Sequence, residues 1–171
     1  IWSPTNIDVT KLPRRGGDYV REKLIELMDN KTIIGDCVTQ YTKICPGVPA
    51  IAFCVSINHA EHVAARFREA GYTAESVDGK LDQRTRDDRI AALGDGRLNV
   101  LASCDLISEG VDVPVVTAAI LLRPTDSLAL AMQQMGRVLR PAPNKTHAVI
   151  LDHVGNVYRH GPPDMERHWS L

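Results

Sequence analysis

The chain predicts an α/β fold with a mainly parallel sheet covered by helices on both faces, and three observations predict it. From Ala50 onward, short apolar runs alternate with amphipathic stretches. The apolar runs are nearly continuous instead of alternating, the pattern of strands buried on both faces. At 171 residues the chain is also long enough for one domain with a substantial core.

The elements follow in order. From Ile1 to about Gly17 the chain carries Pro4, Pro13, Gly16 and Gly17 and reads as a linker or extended arm. Asp18 reads as the cap of a helix running to about Asn30, with Val20, Leu24, Leu27 and Met28 on one face. A second short helix follows Gly35-Asp36 with Val38, Tyr41 and Cys45 as its stripe, and Pro46-Gly47-Val48-Pro49 ends it. The expected strands are Ala50–Val55, Thr73–Val77, Asn99–Ala102, Val116–Leu122 and Ala148–Leu151. Helical patterns lie near Asn58–Ala70, Gln83–Leu93 and Ser127–Leu139, and the stretch between Ser103 and Val115 reads as a loop. Residues 1–48 thus form a linker and helices packing on the domain, 49–155 the α/β domain, and 156–171 an irregular tail. In such an open sheet, ligands bind beyond the carboxyl ends of the strands.

Composition narrows the class. Apolar residues make up 44% and charged residues 24%, with a net charge of −1, so no strongly basic surface advertises nucleic acid. No apolar run approaches the ~20 residues a membrane span requires. Cys37, Cys45, Cys54 and Cys104 form no Cys-x-x-Cys pair and read as free thiols of a reduced, cytoplasmic compartment. The chain opens Ile1-Trp2 with neither methionine nor signal peptide, as a piece of a longer protein would. His59 and His62 stand at i, i+3 without a third patterned ligand and read as surface histidines. His153, His160 and His168 fall in the tail, and no metal site is expected.

Four segments carry chemistry. Gln133-Gln134-Met135-Gly136-Arg137-Val138-Leu139-Arg140 sets two arginines one helical turn apart, where two guanidinium forks could reach one phosphate. Ser56 and Asn58 lie between a strand and a helix, where a hydroxyl suits phosphate contact and equally suits a helix cap. In Asp78-Gly79-Lys80 a glycine turn lets backbone amides approach an anion, and Lys80 adds a charge. In Ser103 to Pro114, Gly110 allows a bend near a ligand and Asp112 is an acceptor suited to a ribose hydroxyl.

Taken in chain order, from Ser56 to Arg140, the segments resemble motifs IV, IVa, V and VI of superfamily 2 helicases over roughly Ile51 to Arg140, with Asp78 replacing the usual His of motif IVa. Glu109-Gly110-Val111-Asp112-Val113-Pro114 is most similar to the form seen in UvrB-like and RadD-like DNA helicases, and Asp152-His153 to Gly161 resembles a run of RadD-like proteins. The resemblance implies a RecA-like three-layer sandwich, the second motor domain of an ATP-dependent DNA helicase. It implies that Arg137 and Arg140 act as fingers on ATP, with Gly110, Asp112, Gln133 and Gly136 on the ATP side. Ser56, Gly79, Lys80 and Ser103 would face a DNA backbone, RNA being the alternative. The chain contains no Gly-x-x-x-x-Gly-Lys-Ser/Thr loop and no Asp-Glu pair. ATP and Mg2+ would then be held mainly by an N-terminal RecA-like domain of the same protein, and this chain alone would be inactive. A restriction-endonuclease motor and a non-catalytic RecA-like interaction domain are the alternatives.

Overall fold

The computed structural model describes residues 7–28, 31–105 and 115–167. Its core is a five-stranded, wholly parallel sheet in the order β4-β5-β3-β6-β7. The strands are β3 (Ala50–Cys54), β4 (Ala74–Val77), β5 (Val100–Cys104), β6 (Ala118–Leu121) and β7 (Val149–Asp152). The three inner strands, β3, β5 and β6, are buried at every residue, whereas the edge strands β4 and β7 are buried at only half of theirs. Continuous burial on both faces is what their unbroken apolar runs anticipate.

The joining helices are α3 (Ile57–Glu69), α4 (Gln83–Gly94) and α5 (Leu128–Gly136), with the short α6 (Asn156–His160) after β7. Helix α3 buries Ala60, Val63, Ala64 and Phe67, one stripe at helical spacing, against β3, β4 and β5. Helix α4 has almost no apolar stripe, since only Ala92 and Leu93 are buried. It is held instead by polar ties: Arg89 donates to the Ser76 carbonyl at 2.5 Å and pairs with Glu75 at 3.4 Å. The step from β3 to β4 runs toward the sheet edge and the step from β4 to β5 runs back. Right-handed crossovers therefore put α3 and α4 on opposite faces.

The N-terminal region departs from its sequence reading. Arg14–Arg15 (β1) and Asp18–Tyr19 (β2) pair as a hairpin across Gly16 and Gly17, whose φ angles of +63° and +84° are those of a two-residue primed turn. Asp18 therefore caps no helix; helix α1 (Arg21–Met28) begins after it and buries Leu24 and Met28. Asn30 lies outside the described residues. Helix α2 (Lys31–Ile44) starts before Gly35-Asp36, and its buried face is Ile34, Cys37, Tyr41, with Cys45 following, so Val38 is only half-buried. Here helix packing overrides the local breaker signal of one glycine.

Helix α2 packs on α3 through Tyr41, which meets Phe67 edge-on at 5.3 Å and Tyr72 at 5.1 Å, while its hydroxyl donates to the Val48 carbonyl at 2.7 Å. Among the described residues no helix is long and apolar enough to cross a membrane.

Phe67 is fully buried at the centre of this aromatic cluster. Phe67→Ala should cost about 3–5 kcal/mol, the usual toll of deleting a core aromatic. Urea denaturation of the two proteins should show this as a lower midpoint at an unchanged slope.

Candidate functional site

Three of the sequence-selected segments come together because β4, β5 and β3 are neighbours and all point the same way. Ser56 follows β3, Asp78-Gly79-Lys80 follows β4, and Ser103 lies in the last turn of β5. Neighbouring strands are ~4.8 Å apart, so the three positions line about 10 Å of the carboxyl edge of the sheet. Ser56 caps α3, its hydroxyl accepting the His59 N–H at 3.0 Å. The buried Asp78 carboxylate accepts the Lys80 N–H at 2.7 Å and closes the turn that exposes Gly79 and Lys80. Asp78, which departs from the motif's histidine, thus has a structural task.

Ser103 was expected in a loop after Ala102, but β5 continues to Cys104 and Ser103 is only 2% exposed. The register Phe53↔Ser103 and Cys54↔Cys104 carries pairing two residues further than the apolar run. The Ser103 hydroxyl makes no hydrogen bond within the described residues, and neither does the buried Oε1 of Gln134. Both line one cleft of about 280 Å³ with Phe53, Asp105, Arg123 and Gln133. It opens where the connection from β3 turns to one side of the sheet and that from β6 to the other, the switch point at which open sheets take ligands. Buried polar atoms seek partners, so this cleft is suited to a polar ligand.

The arginine pair lies elsewhere. Helix α5 returns from β6 antiparallel to the strands, so its first residue is at the carboxyl edge and its last at the opposite one. Gly136 ends the helix, earlier than the expected Leu139. Arg137 to Leu139 continue in a tighter winding, with Val138 N–H donating to Met135 and Leu139 N–H to Gly136, both three residues back. The winding ends there, and Arg140 lies in a bend after it. Val138, fully buried between them, pins the turn to the core, and both arginines are half-buried. Lys145 donates to the carbonyls of Arg140 at 2.9 Å and Val116 at 2.6 Å, tying the pair beside the amino end of β6. The cleft reaches along α5 as far as Gln133 and Gln134, and Arg137 follows about one helical turn, ~5 Å of rise, beyond it. Gln133, exposed on the last turns of α5, lies between the two ends. Gly110 and Asp112 lie outside the described residues.

A polar network that sequence reading did not anticipate surrounds the start of α5. Asp105, in the left-handed region at φ +59°, accepts Arg21 at 2.5 Å and also pairs with Arg123. Arg21 in addition donates to Cys104 Sγ at 3.2 Å. Asp18 accepts the Thr125 hydroxyl at 2.9 Å and the Asp126 N–H at 2.8 Å, while Arg14 pairs with Asp126 at 2.6 Å. From the other side, Asn156 accepts the Thr125 N–H at 3.1 Å and donates to the Arg123 carbonyl at 2.9 Å.

The tail from Asn156, expected to be irregular, begins with a short helix, and 161–167 follow it without regular structure. Asp152 accepts the N–H groups of Val154 and Val157, and Asn156 begins α6. His59 is also a correction: it is fully buried beneath the end of β3, accepting the Val55 N–H at 3.4 Å, while His62 is exposed.

Residues 31–142 match the helicase conserved C-terminal domain. The chain belongs to that family. A 51.5 kDa protein of a Lactococcus phage is 41% identical over 169 residues, covering 99% of this chain and 37% of that protein. The putative ATP-dependent helicase IRC3 of Saccharomyces cerevisiae is 32% identical over 105 residues, 61% of this chain and 15% of the relative. The helicase domain described here thus spans well under half of either relative. Among solved structures, a fragment of a putative HsdR subunit of a type I restriction enzyme from Vibrio vulnificus superposes with a TM-score of 0.72 at 20% identity. That match covers 94% of this chain and 32% of the other. The Escherichia coli DEAD-box protein SrmB gives 0.65 at 22% identity, covering 78% and 79% of the two chains. Both establish the RecA-like fold of the domain.

His153, 1% exposed at the end of β7, adds a pH dependence. Burial pushes its imidazole down from the ordinary 6.5 to about 4, against the opposing charges of Asp152 and Asp36. The ring stays neutral in the fold while the unfolded chain takes a proton near pH 6.5. Stability is then lost as pH falls from about 6.5 to about 4, because the unfolded state binds more protons there. Between pH 7 and pH 5 the parent should lose about 2 kcal/mol more than His153→Gln, as read from urea midpoints at the two pH values.

Proposed function

We propose that the chain is the second RecA-like motor domain of an ATP-dependent superfamily 2 DNA helicase or translocase. The observation that carries this reading is the sequence of the motifs from the carboxyl edge of the sheet, along α5, to the segment that follows it. Ser56, Gly79-Lys80 and Ser103 lie along the carboxyl edge, Gln133 and Gln134 line the cleft there, and Arg137 and Arg140 follow them in the chain within two turns. Family membership and the relative named as an ATP-dependent helicase support it.

In this reading ATP lies in the cleft between this domain and a preceding RecA-like domain, which supplies the P-loop and the ligands of Mg2+. Mg2+ bound there would supply charge neutralisation at the phosphates. Arg137 and Arg140 bring planar, permanently charged forks to the γ-phosphate from this side. Such fingers are worth about 10³–10⁵ in rate because they offset charge that develops as the phosphoryl group transfers. Gln133 and Gly136 flank them on the ATP side, with Gly110 and Asp112 contributed from the segment that follows β5 in the sequence. Ser56, Gly79, Lys80 and Ser103 hold the backbone of the nucleic acid, so opening and closing of the interdomain cleft moves the strand. Phosphate contacts carry no base information, and tracking is indifferent to sequence. DNA is preferred to RNA on the Glu109-Gly110-Val111-Asp112 phrase. A restriction-enzyme motor would use the same two sites, and the fold shared with the HsdR fragment supports that second reading.

The isolated chain, without P-loop or magnesium carboxylates, should turn over ATP at less than ~0.1 per second with or without DNA, at the low side of ordinary enzymes. In the full-length protein, Arg137→Ala and Arg140→Ala should each lower kcat by about 10³ or more while ATP binding holds, since a finger acts mainly in the transition state. Arg137→Lys should fail nearly as badly, because a point charge does not reproduce the fork. Steady-state kinetics beside melting curves tests this: arginine variants that melt normally and hydrolyse at the parental rate would end the finger assignment.

A further inference from the structure

We propose that Asp18 and Asn156 are positioning residues that set the pivot of α5 and, through it, aim the arginine pair. The inference rests on the motor-domain reading above. The segment from Arg123 to Ser127 leads directly into α5 and has no regular structure of its own, yet Thr125 is completely buried. Its polar groups are met by side chains from both ends of the chain. From the C-terminal run, the fully buried Asn156 grips the segment as a peptide group would: its oxygen accepts from Thr125 N–H, and its amide nitrogen donates to the Arg123 carbonyl. From the N-terminal hairpin, a single oxygen of Asp18 accepts both the Thr125 hydroxyl and the Asp126 N–H. Thr125 Oγ1 in turn accepts the Ser127 N–H at 3.0 Å, and Ser127 caps α5 through the Leu130 N–H. An unbroken chain of hydrogen bonds therefore runs from residues 18 and 156 to the first turn of the helix.

The helix transmits whatever happens at that turn. Over a ~13 Å lever, a tilt of about 5° at the pivot moves the far end by about 1 Å. A misplacement of that size costs as much as 10²-fold in rate when the group must meet a reacting centre. The pivot also adjoins the carboxyl-edge cleft, because Arg123 lines that cleft and pairs with Asp105. Asp18 and Asn156 touch no reacting atom in this arrangement; they act through Thr125, Ser127 and the helix.

The chemistry of the two groups provides the test. Asp18→Asn keeps the carbonyl oxygen that accepts both hydrogen bonds and removes only the charge facing Arg123 at 3.6 Å. Asp18→Ala removes the grip itself. The measurement is ATP turnover by the full-length protein at saturating single-stranded DNA, with KM for ATP and DNA affinity measured in parallel. Asp18→Ala and Asn156→Ala should lower kcat about 10- to 100-fold with KM and DNA affinity within about threefold of the parent. Asp18→Asn should return kcat to within about threefold. Asn156 is buried deeply enough that its alanine variant can fail to fold, and in that event the Asp18 pair decides the outcome alone. Parental kcat in Asp18→Ala, an equal loss in Asp18→Ala and Asp18→Asn, or a change confined to KM would overturn the proposal. Arg137→Ala is run alongside. If it too is fully active, the motor-domain reading has failed; if it is inactive while Asp18→Ala is unimpaired, only the positioning role has.

Discussion

A parallel sheet obliges every connection to travel back the full length of a strand, and the layout of this domain follows from that obligation. The helix returning from β6 cannot stay at the carboxyl edge where its own loop begins. It delivers its last residues to the opposite end, so the octet from Gln133 to Arg140 is stretched between two places. Gln133 and Gln134 remain close to the carboxyl-edge cleft, while Arg137 and Arg140 are fastened beside the amino end of β6. A protein that must couple an event on a polymer to an event on a nucleotide gains from such a strut. On the motor-domain reading, this one helix would join the two proposed sites.

Rigidity at both ends of the strut has different origins. At the far end it is apolar: Val138 is fully buried, and Lys145 stitches the following segment to two carbonyls. At the near end the segment from Arg123 to Ser127 is polar and buried, a combination tolerated only when each group finds a partner. Partners come from outside the central sheet and its covering helices, in the N-terminal hairpin and in α6 after β7. That explains why segments which look dispensable in sequence are ordered here. Their exposed ion pairs, such as Arg14 with Asp126 or Arg21 with Asp105, contribute modestly at a surface. The buried hydrogen bonds of Thr125 and Asn156 are the costlier ones to lose.

What was legible in the sequence shares one property, that its signal is local. Strands β3, β5 and β6 announce themselves by unbroken apolar runs, and the stripe of α3 by its spacing, because each is decided by burial of neighbouring residues. Errors arise where a distant partner decides. Asp18 looks like a helix cap because aspartate before an apolar stripe usually is one, but its partners lie at residues 125 and 126. Asn156 gives no local sign of its role, since Thr125 is 31 residues away. Ala102-Ser103-Cys104 reads as the end of a strand because small polar residues weaken the apolar pattern, whereas pairing with Phe53 and Cys54 extends it. The end of α5 at Gly136 was foreshadowed by the glycine itself, which disfavours helix interiors by about 1 kcal/mol.

The cleft at the switch point joins the sheet to α5. Ser103 and Gln134 come from opposite sides of it, one from a strand in the nucleic-acid group of motifs and one from the helix that ends in the arginine pair. Each keeps a buried polar atom without a hydrogen bond inside the described fold. Leaving such an atom unsatisfied costs roughly 1–3 kcal/mol, so two in one cleft represent stability set aside for a ligand or ordered water to recover. A group that satisfies Ser103 within a space of about 280 Å³ necessarily alters the surroundings of Gln134 and therefore the seat of α5. On the proposed reading, a ligand at the carboxyl edge would bear on α5 and so on the arginines that follow it.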